Sequence, residues 1–280
     1  MKLFSVSTAF VHTLSDYPYL WDMFEDQLDL GVSAMLYYTT DASVVPKTAY
    51  HAERINLDLS GNALSLLDPV LPMYDHPVME QQHTVFGLPY KQYVRVELDF
   101  ARVLRFGRSA GQALAMHLVA GAGFAYGNSV SMPFEKQFFC GGANSMRGWQ
   151  ARTLGPGSEP LSPAFKLPSQ TGNLKLEADL EYRFPLFWKI EPALFAEVGN
   201  VWRTTPDPGE EEFDFRKMPE QLAADWGLGL RVNLDFLLVR LDMGFKVHDP
   251  SSEAERHWLG PRDWLRRDGF AIHFGVGYPF

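Results

Sequence analysis

The stretch Phe270 to Phe280 reads F-A-I-H-F-G-V-G-Y-P-F, with an apolar side chain at every second position: Phe270, Ile272, Phe274, Val276, Tyr278 and Phe280. Strict alternation places all of them on one face of a single strand. The other face carries Ala271, His273, Gly275, Gly277 and Pro279, which are too small or too polar to build a packed core. A ribbon oily on one side and small or polar on the other, ending on an aromatic, has the pattern of a closing strand set between hydrocarbon and a barrel lumen. Gly275 and Gly277 are expected to loosen and kink that strand.

No run of the chain approaches the ~18 consecutive apolar residues that a spanning helix needs. A membrane-spanning reading therefore requires a closed sheet, since only helices and barrels satisfy their backbone in lipid. The formal net charge of -9 argues against nucleic acid as a partner. A single cysteine, Cys140, leaves no internal disulfide to form. Met1 to Leu14 carries serines, threonines and a histidine in its apolar stretch, with no cleavage site after it, which disfavours a signal peptide. Alternation over Leu3 to Val11 predicts an internal strand instead, so the chain is expected to begin within a longer protein.

The period of two recurs. Ile55, Leu57 and Leu59 alternate with Asn56, Asp58 and Ser60, and Val94, Val96, Leu98 and Phe100 with Arg95, Glu97 and Asp99. Leu174 to Phe184, Leu228 to Phe236 and Val239 to Phe245 repeat the pattern. A soluble sandwich alternates too, but these strands reach the ~9–11 residues that cross a bilayer at a tilt. Connections alternate between short (106–111, 185–188, 236–238) and long (64–91, 127–171, 204–221, 248–268), as turns and loops do at the two rims of an outer-membrane barrel. The expected fold class is all-β, an antiparallel transmembrane β-barrel, with about ten strands visible in the chain. Residues 1–280 are read as one unit, with 1–49 holding poorly defined strands and 127–171 a long loop.

Gln137 to Gly157 reads Q-F-F-C-G-G-A-N-S-M-R-G-W-Q-A-R-T-L-G-P-G. This run closely resembles the sixth-loop motif of the BamA/TamA surface-antigen superfamily of outer-membrane assembly factors. Gly141, Gly142, Asn144, Ser145, Met146, Arg147, Gly148 and Trp149 carry the match. The resemblance continues through L-K-L-E-A-D-L-E-Y-R-F-P-L, A-L-F-A-E-V-G-N-V-W, G-L-G-L-R-V-N-L-D-F and R-L-D-M-G-F, and covers about residues 50–280. It implies that the chain is the C-terminal part of a barrel of about sixteen strands. It also implies that the loop folds inward and that Arg147 meets an acid on each of the next two strands. By motif position those acids are Glu181 and Glu197, the second standing where the family carries aspartate.

The residues give that loop a physical reading of their own. Glycine pairs and Asn-Ser supply tight turns and self-bonding side chains, which let a long loop fold back on itself. A guanidinium carried inward can engage two carboxylates through its planar fork of donors. The extra methylene of Glu197 makes a bidentate contact there less secure.

Other signals point to no chemistry. Gly121-x-Gly123 with Gly127 is followed by no helix pattern, so a phosphate cradle is not expected, and small lumen-facing residues suit a barrel strand. Cys140 paired with His117 or His273 lacks an identifiable orienting acid. No metal-ligand spacing joins the eight histidines, so neither metal nor cofactor is expected, and the chain is not expected to be an enzyme. Trp188, Trp202, Trp226, Trp258 and Trp264 fall near predicted strand ends, as an interfacial aromatic girdle would.

The resemblance implies a barrel of the bacterial outer membrane that assembles, inserts or translocates proteins through a lateral seam. Its implied partners are outer-membrane lipid, client outer-membrane proteins, and periplasmic domains or lipoproteins of an assembly complex. Related barrels that secrete one dedicated polypeptide, or that are fused to a phospholipase, are the first alternative. A soluble β-rich protein with a ligand in its lumen is the second.

Overall fold

The computed structural model describes residues 26–43, 46–74, 81–107, 111–160, 170–204, 213–234, 236–252, 257–266 and 268–280. The strand expected over Leu3 to Val11 lies outside them. Twelve strands are present among the described residues: β1 (Gly31–Thr39), β2 (Tyr50–Ser60), β3 (Met73–Tyr74), β4 (Gln82–Val85), β5 (Leu88–Pro89), β6 (Tyr93–Phe106), β7 (Gln112–Ala125), β8 (Leu174–Arg183), β9 (Ile190–Trp202), β10 (Ala223–Asn233), β11 (Leu238–His248) and β12 (Phe270–Val276). Nine of them form one sheet in the order β1-β2-β6-β7-β8-β9-β10-β11-β12, and β3, β4 and β5 form a small separate sheet. Every pairing in the large sheet is antiparallel. Against the expected ten or so strands, nine stand in this sheet among the described residues, with the three minor strands folded inside the connection between β2 and β6.

Strand lengths suit a bilayer. β6 and β7 each run 14 residues, β9 13, and β10 and β11 11, at or above the ~9–11 a tilted crossing requires. The outer face exposes an apolar band: Leu98, Leu118, Leu180, Leu194, Leu228, Leu241 and Phe274 all stand open. The inner face buries charge instead, with Glu181, Arg183, Arg231 and Asp242 at 1% exposure or less. A water-soluble sheet protein distributes these in the opposite sense.

The first strand, β1, was hidden within the poorly defined segment 1–49. Its register sets Val32, Ala34 and Leu36 beside Leu59, Leu57 and Ile55 of β2, and Met35 and Tyr37 beside Asn56 and Arg54. Both faces are apolar, so no alternation marks it.

The closing strand is shorter than expected. β12 ends at Val276, and Gly277 takes a left-handed φ of 85° that turns the chain inward. Tyr278 and Phe280 therefore leave the outer face. Phe280 packs against Val103, Ala113 and Ala115 of β6 and β7, so the sheet curls far enough for its last strand's tail to reach its middle. Gly275 stays in regular strand pairing with Arg240 and makes no kink.

Candidate functional site

The loop between β7 and β8 fills the inner face. Phe138 bridges to Gly172 and Cys140 to Leu154, which folds the loop back as a narrow ribbon. Gly141 sits at φ 92°, where an added Cβ would lie 2.1 Å from the Gln150 carbonyl oxygen. Gly142 donates its N–H to the Trp149 carbonyl at 2.9 Å, closing the turn that holds the motif. Phe138, Cys140, Met146, Trp149 and Leu154 then pack with Val201 and Ala223 as a buried apolar knot. Small side chains on the wall admit this knot: a Cβ on Gly121 would strike the Phe138 ring at 2.5 Å. Gly121 and Gly123 thus face the loop, as barrel packing expects. Asn128 fastens the loop to its neighbour by accepting the His83 N–H at 2.7 Å and donating to the His83 and Tyr90 carbonyls at 2.9 Å.

Arg147 projects from that knot into a wall of acids and is fully buried. Its Nη1 donates to Glu181 Oε2 at 2.6 Å and its Nε to Glu197 Oε1 at 2.6 Å. The second oxygen of Glu197 accepts the Arg147 backbone N–H. Glutamate in place of aspartate therefore still reaches: Glu197 grips side chain and backbone together. The guanidinium lies on the Phe195 ring, 3.5 Å from its centroid. Ser145 donates to Glu177 Oε2 at 2.5 Å, and Asn144 accepts from Arg240.

Several partners were not singled out by sequence. Asp225, opposite Glu197 in register, accepts the Gly148 N–H at 2.9 Å. Asp242 lies 3.5 Å from Arg147 Nη1 and 2.9 Å from Arg231 Nη1, while Arg231 Nη2 bonds Glu181 at 2.7 Å. Arg183 adds a third cation to Glu181 at 2.6 Å. His273 of β12 places Nε2 3.1 Å from the Arg147 carbonyl oxygen. The loop approaches β11 so closely that a Cβ on Gly244 would lie 2.3 Å from that same oxygen. Charged residues at alternate positions on β8 to β11 were the available signal, but only register says which of them meet.

His117, Glu177 and Asp179 bring ligand atoms within 4.8 Å of one another, a grouping that strand register creates and local spacing conceals. His117 is already held between Asp179 at 2.7 Å and Asp99 at 3.2 Å, and Glu177 by Lys175 at 2.9 Å. Each member of the cluster thus already has a partner of opposite charge type. Cys140 is buried with its Sγ 3.7 Å from Glu177 Oε2, and burial pushes its thiol well above the ordinary range. Of the tryptophans, Trp188 and Trp258 are exposed, and Trp226 and Trp264 meet edge to face with centroids 5.2 Å apart. Trp202 is buried and donates to Gln221 Oε1, so it belongs to the loop contacts and not to a girdle.

The Omp85 superfamily domain matches residues 78–280, well over half of the chain, from the loop before β6 to the last residue. The chain belongs to the Omp85 superfamily. Its place is accordingly the bacterial outer membrane, as a transmembrane β-barrel segment. A similar curated protein is the outer membrane protein assembly factor BamA of Neisseria meningitidis serogroup B, 33% identical over 82 residues, which cover 28% of this chain and 10% of that protein. A similar solved structure is BamA from Haemophilus ducreyi lacking POTRA domains 1–3, at 15% identity and a TM-score of 0.46, covering 89% of this chain and 54% of that one. The matched region thus spans only a fraction of either relative's length.

Proposed function

We propose that this Omp85 chain is the C-terminal portion of a barrel that inserts or translocates proteins at the outer membrane, and that it acts by geometry and not by catalysis. The reading rests on one observation: a long loop is drawn into the sheet's inner face and pinned there by Arg147 between Glu181 and Glu197. A loop so held braces the wall from inside, which leaves the outer face to lipid. β12 is an end strand of the sheet among the described residues. Its unpaired edge offers backbone donors and acceptors on which an incoming client strand can template. In this reading the closing strand is one lip of a lateral seam, client outer-membrane proteins are the cargo, and periplasmic domains or lipoproteins deliver it.

The test uses the intact protein in proteoliposomes, with an unfolded outer-membrane barrel as client and heat-modifiable gel mobility as the readout of folding. Wild type should accelerate client folding, and Arg147→Ala should remove about tenfold or more of that acceleration, the coupling range of a two-state element. Equal acceleration by the two proteins, both folded, would defeat the proposed role of the loop.

A further inference from the structure

Arg240 on β11 touches the loop and the chain's last residues at once. Its Nε donates to the Gly277 carbonyl at 3.0 Å, and its Nη1 to the Ala143 carbonyl at 2.7 Å. Nη2 donates to Asn144 Oδ1, and Nη1 also meets Asp242 Oδ2. The side chain is 1% exposed. It reaches across the closing strand because its register partner, Gly275, has no side chain: a Cβ there would lie 2.8 Å from the guanidinium carbon. The bond from His273 to the Arg147 carbonyl joins the same strand to the motif itself.

The inward tail has its own seat. Gly277 donates its N–H to the Leu238 carbonyl at 2.8 Å. Tyr278 donates to Glu191 Oε1 at 3.1 Å, under the Arg183 guanidinium at 4.1 Å. Phe280 stacks on His117, 4.7 Å between centroids and 7° from parallel. These seats lie on strand residues, so the tail and the loop are joined through Arg240 and β12.

We propose that Arg240 is a positioning residue that couples the seated loop to the inward-turned tail, so that the two hold or release together. A guanidinium presents its donors in one rigid plane. When Gly277 swings out, the plane loses an acceptor and gains freedom to tilt, and its two bonds to the loop lose their alignment. Loss of the Ala143 and Asn144 acceptors frees the Gly277 end in the same way, because coupling between two sites is reciprocal. The part this coupling plays in opening a seam rests on the function proposed above, whereas the coupling itself does not.

Cys140 is the chain's single thiol and is buried in the loop's apolar knot, so it reports whether the loop is seated. The experiment measures maleimide labelling of Cys140 in the intact protein in isolated outer membranes, with heat-modifiable mobility as the folding control. Tyr278→Ala and Gly277→Val change tail residues without touching Arg240 itself, and each should raise the labelling rate about tenfold. Conversely, Asn144→Ala should raise labelling of a Phe280→Cys, Cys140→Ala chain by a similar factor. Arg240→Lys, which keeps the charge without the fork, should raise both rates. Tail variants that fold and label Cys140 at the wild-type rate would overturn the coupling. Where one tail variant fails to fold, the Asn144 measurement decides alone. Labelling needs no client, so coupling without client assembly would strike the functional reading and leave this one standing.

Discussion

Glu197 holds Arg147 at two points, accepting the side-chain Nε with one oxygen and the backbone N–H with the other. The side chain of a single acid thereby fixes where the loop's arginine sits and which way its backbone faces. Both groups are buried, and a buried pair contributes through the cost of breaking it more than through its own attraction.

Removing one partner should expose that asymmetry. Glu197→Ala leaves the guanidinium with Glu181 and Asp242 and is expected to cost about 3–5 kcal/mol. Glu197→Asp retains the charge but retracts it, so that only one of the two contacts survives, for about 1–3 kcal/mol. Urea unfolding in detergent micelles, followed by loss of heat-modifiable mobility, measures both. A Glu197→Asp midpoint equal to wild type would show that the double grip is not needed.

Faces of one strand should respond in opposite ways to charge. Leu228 of β10 is 47% exposed on the outer side, whereas Arg231 of the same strand is fully buried. Leu228→Arg puts a cation into hydrocarbon and is expected to cost about 2–4 kcal/mol near the bilayer midplane. Arg231→Leu instead strips Glu181 and Asp242 of a shared cation, a loss of about 3–5 kcal/mol for a broken buried pair. Reversible unfolding into lipid vesicles gives both numbers. Leu228→Arg at no cost would place water, and not lipid, over that face.

Much of the barrel was legible because one physical contrast, oil outside and charge inside, writes itself as a period of two on β2, β6, β8, β10 and β11. β7 carries no such period and was marked only by the connections on either side of it, because its inner positions are small: Gly121 and Gly123 admit the loop, and Ala113 and Ala115 seat Phe280. β1 escaped for the opposite reason, having apolar residues on both faces. The motif named Arg147, Glu181 and Glu197. It did not name Asp225, Asp242, Arg231 or Arg240, whose roles depend on which strand lies opposite which. The alternation of the last residues also continued past the point where Gly277 turns the chain inward, since a pattern of side chains carries no record of one φ angle.

Cys140 offers a check on loop seating in the unaltered protein. Its thiol is buried, and burial raises its ionisation well above the range in which thiolate forms at neutral pH. Maleimide should therefore label it at least about tenfold more slowly in the folded protein than in the urea-unfolded chain, where the thiol ionises normally. Equal rates would mean that the loop spends its time outside the inner face.

Gly244 tests the closeness of loop and wall from the other side. It faces the Arg147 carbonyl and the Gly148 N–H, and an added Cβ would lie 2.3 Å from the first and 2.6 Å from the second. Both obstacles are backbone, so no side-chain rotation relieves them. Gly244→Ala must push the loop off β11, stretching the Gly148 bond to Asp225 and the His273 bond to Arg147 together. Overpacking of this kind costs about 1–3 kcal/mol, less than loss of the Arg147 pair, so the variant should still fold and insert. Its Cys140 should label faster than in wild type while the urea midpoint falls only modestly. A Gly244→Ala protein with wild-type labelling would show that the loop has room to spare against β11, and that the motif is held by its acids alone.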